Sequence, residues 1–394
     1  MIRPPQFGMR VDRGLSFRLH LDRNRFFFIF HPDGRCYMRS GLLLCASMCL
    51  VFVTSAASQA PDRSASSAVI TQWARSGHAN AHSQSFTHWN EDGEIPPICS
   101  TCHSGAGFRS LYGFDGSSPG LPESPIPTGG VVDCETCHNP GLGSVSQVQL
   151  PSGDKYPVEG VEAACMTCHQ GRAASISVEE AVGNNPEDEV NADLRFINPH
   201  YAIAAASLLG STGALGYHYP GKSYEPRFIH ARPVSSCVSC HEPHNLSVAE
   251  ETCLTCHETG NSRNIRISRQ SFDGSGDLNK GIHADIMANR ERLFGIMQQY
   301  AEGVAGAALI YEGSRHPYFF VDRNGDGRAD QVDGTPVAYA NWTPRLLKAA
   351  YNWKFVGADR GIHVHNPHYA LQLLYDSAED LSRGLGGELE GMKR

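Results

Sequence analysis

The chain has 394 residues, 41% of them apolar, which suffices for one large domain or two smaller ones and excludes a compositionally disordered polymer. A formal net charge of −8 excludes the basic footprint of a nucleic-acid binder. Thirteen cysteines are far more than packing needs, and their positions decide what they are for.

Residues 1–37 carry seven arginines and the cluster Phe26-Phe27-Phe28-Ile29-Phe30, and are expected to lie outside the fold. Residues 38–60 read as a secretory signal. Met38 and Arg39 form a short basic start, Gly41 to Val53 is an uncharged apolar run, and small residues follow, with cleavage after Ala57 or Ala60. The run is short for a membrane span, so a retained anchor is the lesser alternative. The chain thus divides into an extension with a signal (1–60), a cysteine-bearing region (61–262) and a helical C-terminal region (263–394).

Cys36, Cys45 and Cys49 lie in or before the signal. The other ten cysteines form five identical C-x-x-C-H patterns: Cys99-Cys102-His103, Cys134-Cys137-His138, Cys165-Cys168-His169, Cys237-Cys240-His241 and Cys253-Cys256-His257. This spacing attaches haem c. Two thiols reach the two vinyl groups of one porphyrin, and the next residue delivers an imidazole to the iron. Zinc sites and thioredoxin-type motifs do not leave five copies, each followed by histidine, with no cysteine unmatched. Five haems also help to build the core, with short helices and Gly/Pro-rich loops such as Gly105 to Gly130 wrapping them.

Each iron needs a second axial ligand if it is to be closed, and beyond the signal twelve histidines outside the motifs compete for five positions. His78 and His82 share one face of an expected helix after Trp73, and His78 is preferred, with His88 in reserve. His200 lies in Asn198-Pro199-His200-Tyr201-Ala202, echoed by Asn366-Pro367-His368-Tyr369-Ala370. His230 stands seven residues before Cys237. His244 follows a proline turn after His241, and so suits a neighbouring haem. His365 precedes an Asn366 cap and Pro367 at a helix start. His218, His283, His316, His363 and His368 read as solvated or hydrogen-bonded histidines.

After His257 the signals change. Asp322, Asn324, Asp326, Gly327, Arg328, Asp330 and Asp333 match positions 1, 3, 5, 6, 7, 9 and 12 of an EF-hand calcium loop, with Asp in place of the final Glu and the Arg328 carbonyl as a ligand. Asp273, Ser275, Asp277 and Asn279 repeat the alternation without its glycine. Ile286, Leu293, Met297, Tyr300 and Val304 recur at helical spacing, Thr343-Pro344 caps a helix through Phe355, and Tyr369, Leu373, Leu374 and Leu381 mark another. The expected fold is mainly α with extensive loops: a haem-packed multihaem cytochrome c core and a helical C-terminal region with an EF-hand-like calcium loop.

The runs Trp73 to His78, Cys102-His103-Ser104-Gly105, Cys240-His241-Glu242-Pro243-His244, Pro317-Tyr318-Phe319-Phe320, Thr343-Pro344-Arg345-Leu346-Leu347 and His365-Asn366-Pro367 through Tyr375 carry a resemblance. With them the chain resembles the multihaem c-type cytochromes exported by metal-reducing and other anaerobic bacteria, and its C-terminal runs are similar to outer-surface cytochromes of extracellular electron transfer. The resemblance implies bis-histidine haems in a wire-like chain, delivery to or across the outer membrane, and His78, His200, His230, His244 and His365 as the matching positions. The expected cofactors are five haems c and calcium. Expected partners are other cytochromes or quinol-linked donors and an extracellular acceptor, with the protein in the periplasm or on the outer surface. Two alternatives stand beside electron transfer: a reductase of nitrite, hydroxylamine or tetrathionate at one open iron, and a filament whose subunits stack head to tail.

Overall fold

Local chemistry sets most helix boundaries in this chain. The computed structural model describes residues 63–394, and the signal and extension expected before them lie outside the described residues. Helices α1 (Arg63–Ala74) and α2 (Gln84–Thr87) precede the first C-x-x-C-H, which forms α3 (Pro97–His103) and leads into α4 (Gly105–Leu111). The second motif is α5 (Cys134–His138), and the third closes α6 (Glu162–His169). Helices α7 (Ser175–Val182) and α8 (Ala204–Leu209) follow. The fourth and fifth motifs lie at 3-10 turns, Cys237–Ser239 and Glu250–Thr255.

The C-terminal region is built on α9 (Ile282–Gly303), α10 (Pro344–Ala358), α11 (Ile362–His365) and α12 (Pro367–Gly384), with α9, α10 and α12 packed on one another. Thr343 accepts the Leu346 N–H at 3.2 Å to start α10, and Asn366 accepts that of Tyr369 at 3.3 Å to start α12. Both helices carry proline at the first position, where no N–H is needed. The apolar stripes Ile286, Leu293, Met297 and Tyr300 of α9, and Tyr369, Leu373, Leu374 and Leu381 of α12, are buried. Each leucine so buried contributes about 1.5–3 kcal/mol. Val304 caps α9 instead of continuing it.

Strands are few and short. Four antiparallel pairs occur: β1 (Glu94–Ile95) with β2 (Ile126–Pro127), β3 (Gln147–Gln149) with β4 (Lys155–Pro157), β5 (Leu309–Tyr311) with β6 (Phe319–Val321), and β7 (Gln331–Val332) with β8 (Thr335–Pro336). The fold is therefore mainly helical, with small sheets and long loops.

Two expectations are corrected. Helix α1 ends at Ala74, where the Ser76 N–H turns back to the Trp73 carbonyl at 2.8 Å, so His78 and His82 do not share a helical face. The acidic loop 322–333, expected to be EF-hand-like, is entered directly from β6 and contains β7, with α9 and α10 farther out on either side. Phe319, Phe320 and Val321 form a buried strand paired with β5, which carries the chain into the loop extended. Asp333, at φ 51°, and Gly334, at φ 76°, make the two-residue turn between β7 and β8. Positive φ at both centres is what the twist of a tight hairpin demands.

One continuous core joins the motif region to the C-terminal helices, from Phe108 and Ala163 through Ile203 to Leu347 and Leu374, and residues 63–394 form one compact unit. Buried polar groups stitch the two regions. Asn352 on α10 accepts the Tyr217 N–H at 2.8 Å and donates to the Tyr217 carbonyl at 3.0 Å and the Ser377 hydroxyl at 3.1 Å. Tyr351 donates to the Leu215 carbonyl, and Tyr369 accepts the Gly216 N–H. A buried group left without such partners would cost about 1–3 kcal/mol, which makes this seam specific.

Candidate haem-binding site

Among the described residues the ten motif cysteines are not paired with one another in disulfides. The helical turn of α3, α5 and α6 brings each first cysteine near its second and leaves the histidine at the end. The third motif is central. Cys102 of the first motif lies beside Cys168, and Cys165 lies beside Cys237 of the fourth. Cys102 also lies 3.5 Å from the Thr167 carbonyl, and Cys237 lies 3.8 Å from the Glu162 carboxylate.

Each attachment histidine faces one second histidine across a similar gap. Ring centres are 5.8 Å apart for His103 and His200, 6.0 Å for His138 and His244, and 6.3 Å for His169 and His78. They are 6.2 Å apart for His241 and His365 and 6.3 Å for His257 and His230. An iron bound by one nitrogen of each ring, at about 2 Å per bond and roughly 1.1 Å from nitrogen to ring centre, needs about 6.2 Å. The donor pairs therefore fit a six-coordinate haem iron.

The pairs are assembled from distant segments. Val132 donates to the His78 carbonyl at 3.2 Å and accepts the Trp73 indole N–H at 3.0 Å, which holds His78 toward α6. His200 sits at φ 91°, a left-handed conformation rare for a histidine, with its amide donating to the Asn198 side chain at 3.0 Å. Ala202 in the same loop accepts from His169 Nδ1 at 2.6 Å and anchors to the Ala358 carbonyl at 3.0 Å. This loop thus serves two attachment histidines, whereas its sequence echo at Asn366 starts α12 and turns His368 onto Phe272. His244 meets the second motif and not its neighbour His241.

Imidazole must be neutral to bind iron, and the surroundings favour that form at His78, His103, His200 and His241, whereas at His365 burial acts the same way but the Asp359 carboxylate outweighs it and raises the pKa. Burial, and after it the facing ring of the pair, hold His78 and His241 below the usual histidine pKa. Burial lowers His103, and pushes His200 down to about 4 with help from Arg172 and the facing His103. Hydrogen bonds from Nδ1 to the Ser85 carbonyl at 2.7 Å and the Ala202 carbonyl at 2.6 Å leave the Nε2 lone pairs of His103 and His169 free.

The remaining histidines have other surroundings. His218 bonds the Tyr369 hydroxyl at 2.8 Å and stacks on Tyr224, His363 meets Ser262 and His283, His316 lies by Tyr318, and His88 lies edge-on to Trp89. Sequence reasoning missed Asp359, whose carboxylate accepts from His365 Nδ1 at 2.7 Å. No spacing rule points to it, because it caps the end of α10 six residues before the histidine it meets.

The acidic loop is less gathered. Asp322 accepts the amides of Asp326 at 3.2 Å and Gly327 at 3.1 Å, Asn324 accepts that of Asp326 at 3.0 Å, and Asp326 accepts that of Arg328 at 2.9 Å. Asp330 pairs with Arg323 at 3.1 Å, and Asp333 stands in the β7–β8 turn. Among the described residues no three His, Cys, Asp or Glu side chains are gathered around a common metal position. In the stretch from Asp273, the Lys280 ammonium and the hydroxyls of Ser271 and Ser275 already satisfy the Asp273 carboxylate.

Comparison with known proteins points to the same class of cofactor. The C-type polyheme cytochrome OmcC of Geobacter sulfurreducens is 24% identical over 82% of this chain and 48% of its own length. The C-type polyheme cytochrome OmcB of the same species, in two strains, is 25% identical over 76% of this chain and 46% of its own. The chain is similar to polyhaem c-type cytochromes. It spans about half the length of the curated relatives it matches. No protein-family model matches it, and no solved structure matches it significantly. No helix among the described residues is long and apolar enough to cross a membrane.

Proposed function

We propose that this protein transfers electrons through five covalently attached haems c, each closed by two histidines. The reading rests on one observation: all five attachment histidines face a second imidazole at the spacing an intervening iron needs. Bound there, haem supplies a one-electron iron couple. The chain supplies the attachment thiols and the paired imidazoles. The thiol contacts of the third motif with the first and fourth favour a connected route through the protein. Every second imidazole comes from the same chain, so the ligand set calls for no neighbouring subunit. No attachment histidine lacks a partner, which favours closed coordination over an open reductase site. The proposed partners are other redox proteins or an extracellular acceptor, and the proposed location is the periplasm or outer surface after export on the 38–60 signal.

The test is electron paramagnetic resonance of the oxidised, haem-loaded chain, quantified against haem content. Five haems by mass and five low-spin irons are expected. A stoichiometric high-spin signal would sink closed coordination and revive the reductase reading.

Calcium at 322–333 belongs to the same proposal. Asp322, Asn324, Asp326, the Arg328 carbonyl and Asp330 supply oxygens, once Asp330 exchanges Arg323 for the ion. Adding calcium to chelator-treated protein should raise Tm, with about 2.7 kcal/mol of stabilisation at a hundredfold excess over Kd. An unchanged Tm with no heat of binding rejects the ion.

A further inference from the structure

We propose that Asp359 is a positioning residue that makes the iron served by His241 and His365 the hardest of the five to reduce. The inference rests on the bis-histidine reading above and adds a difference among the five sites.

The difference lies behind the ligands. His103 and His169 offer Nδ1 to neutral carbonyls of Ser85 and Ala202, and His230 Nδ1 lies a long 3.4 Å from the Ala231 carbonyl. His200 Nδ1 is buried without a partner among the described residues. His244 meets the Glu242 carboxylate at 2.8 Å, but that side chain is 44% exposed, and water and salt screen its charge. His365 alone of these meets a buried carboxylate. The Asp359 side chain is 3% exposed and accepts from His365 Nδ1 at 2.7 Å and from the Gly361 N–H at 2.9 Å. Among the described residues it forms no ion pair with lysine or arginine. Gly361 completes the geometry. A Cβ there would stand 2.7 Å from His365 Cε1, so only glycine lets the ring lie against the turn.

Two effects of the same sign follow. Ferric haem with two neutral imidazoles carries one more positive charge at its centre than ferrous haem, and a fixed buried anion stabilises the more positive form. A carboxylate drawing on the Nδ1 proton also makes the imidazole a stronger donor, which favours ferric iron again. Glu242 shares the second effect and lacks most of the first.

The test is spectroelectrochemical titration of the full haem-loaded chain carrying Asp359→Asn, Asp359→Glu or Glu242→Gln, with haem count and low-spin signal recorded on each. The expected result for Asp359→Asn is five haems, unchanged spin state, and a rise of the lowest of the five midpoints. The rise should reach at least tenfold in that iron's reduction equilibrium, about 59 mV for a one-electron couple. Asp359→Glu, which keeps the charge, should return that midpoint most of the way, and Glu242→Gln should move its own midpoint less. The proposal is overturned if Asp359→Asn leaves the lowest midpoint in place or moves a different one. It is also overturned if Glu242→Gln, on an exposed residue that does not threaten folding, produces the larger shift. A missing haem or a high-spin iron in the unmodified chain instead identifies failure of the bis-histidine reading.

Discussion

Replacing Cys165 and Cys168 together with alanine should remove one covalent haem of five by mass and lower the stability of the loaded chain more than the same change at any other motif. Helix α6 carries this pair, and its Ala163, Ala164 and Met166 lie in the continuous core. Its thiols meet those of the first and fourth motifs, so the group they hold has neighbours on both sides. Aromatic side chains each hide about 150–250 Å², worth about 4–6 kcal/mol at about 25 cal/mol per Å², and a porphyrin is larger, so losing it costs at least on the order of 4–6 kcal/mol. That is at the extreme of single-site effects. The control is the fifth motif, whose Cys256 is exposed at a 3-10 turn. Cys253→Ala with Cys256→Ala should lose the same mass with a smaller drop in thermal midpoint. Equal drops for the two would mean that α6 is not the centre of the cofactor region.

Replacing any one of His78, His200, His230, His244 or His365 with alanine should convert one low-spin iron in five to high spin, while His218→Ala and His316→Ala leave all five low spin. The selectivity follows from position. The first five each stand 5.8–6.3 Å, ring centre to ring centre, from a different attachment histidine, whereas His218 is committed to Tyr369 and Tyr224 and His316 lies beside Tyr318. Removing a ligand leaves an open position that binds small molecules such as carbon monoxide in the ferrous state. Carbon monoxide uptake should therefore rise to about one equivalent per chain in each of the five variants. A variant that stays fully low spin would remove its histidine from the ligand set.

The attachment sites were legible because their chemistry is local. Two thiols and an imidazole must reach one porphyrin, and this compresses the requirement into five consecutive residues that no distant contact can alter. Helix starts were legible for the same reason: Thr343 with Pro344 and Asn366 with Pro367 satisfy amides within their own first turn. Other features depend on where the chain returns. The echo between Asn198 and Asn366 starts a helix at one site and a strained ligand loop at the other, because Ala202 is held by Ala358 and receives His169. The acidic loop matches a calcium pattern residue by residue, yet β6 leads the chain straight into it and Asp333 stands in the β7–β8 turn, a placement that strand pairing sets and spacing does not show. Which second histidine meets which motif, and the Asp359 carboxylate behind His365, come from packing between segments far apart in the chain. Spacing rules reach about one helical turn, and burial and long-range hydrogen bonds decide everything beyond it.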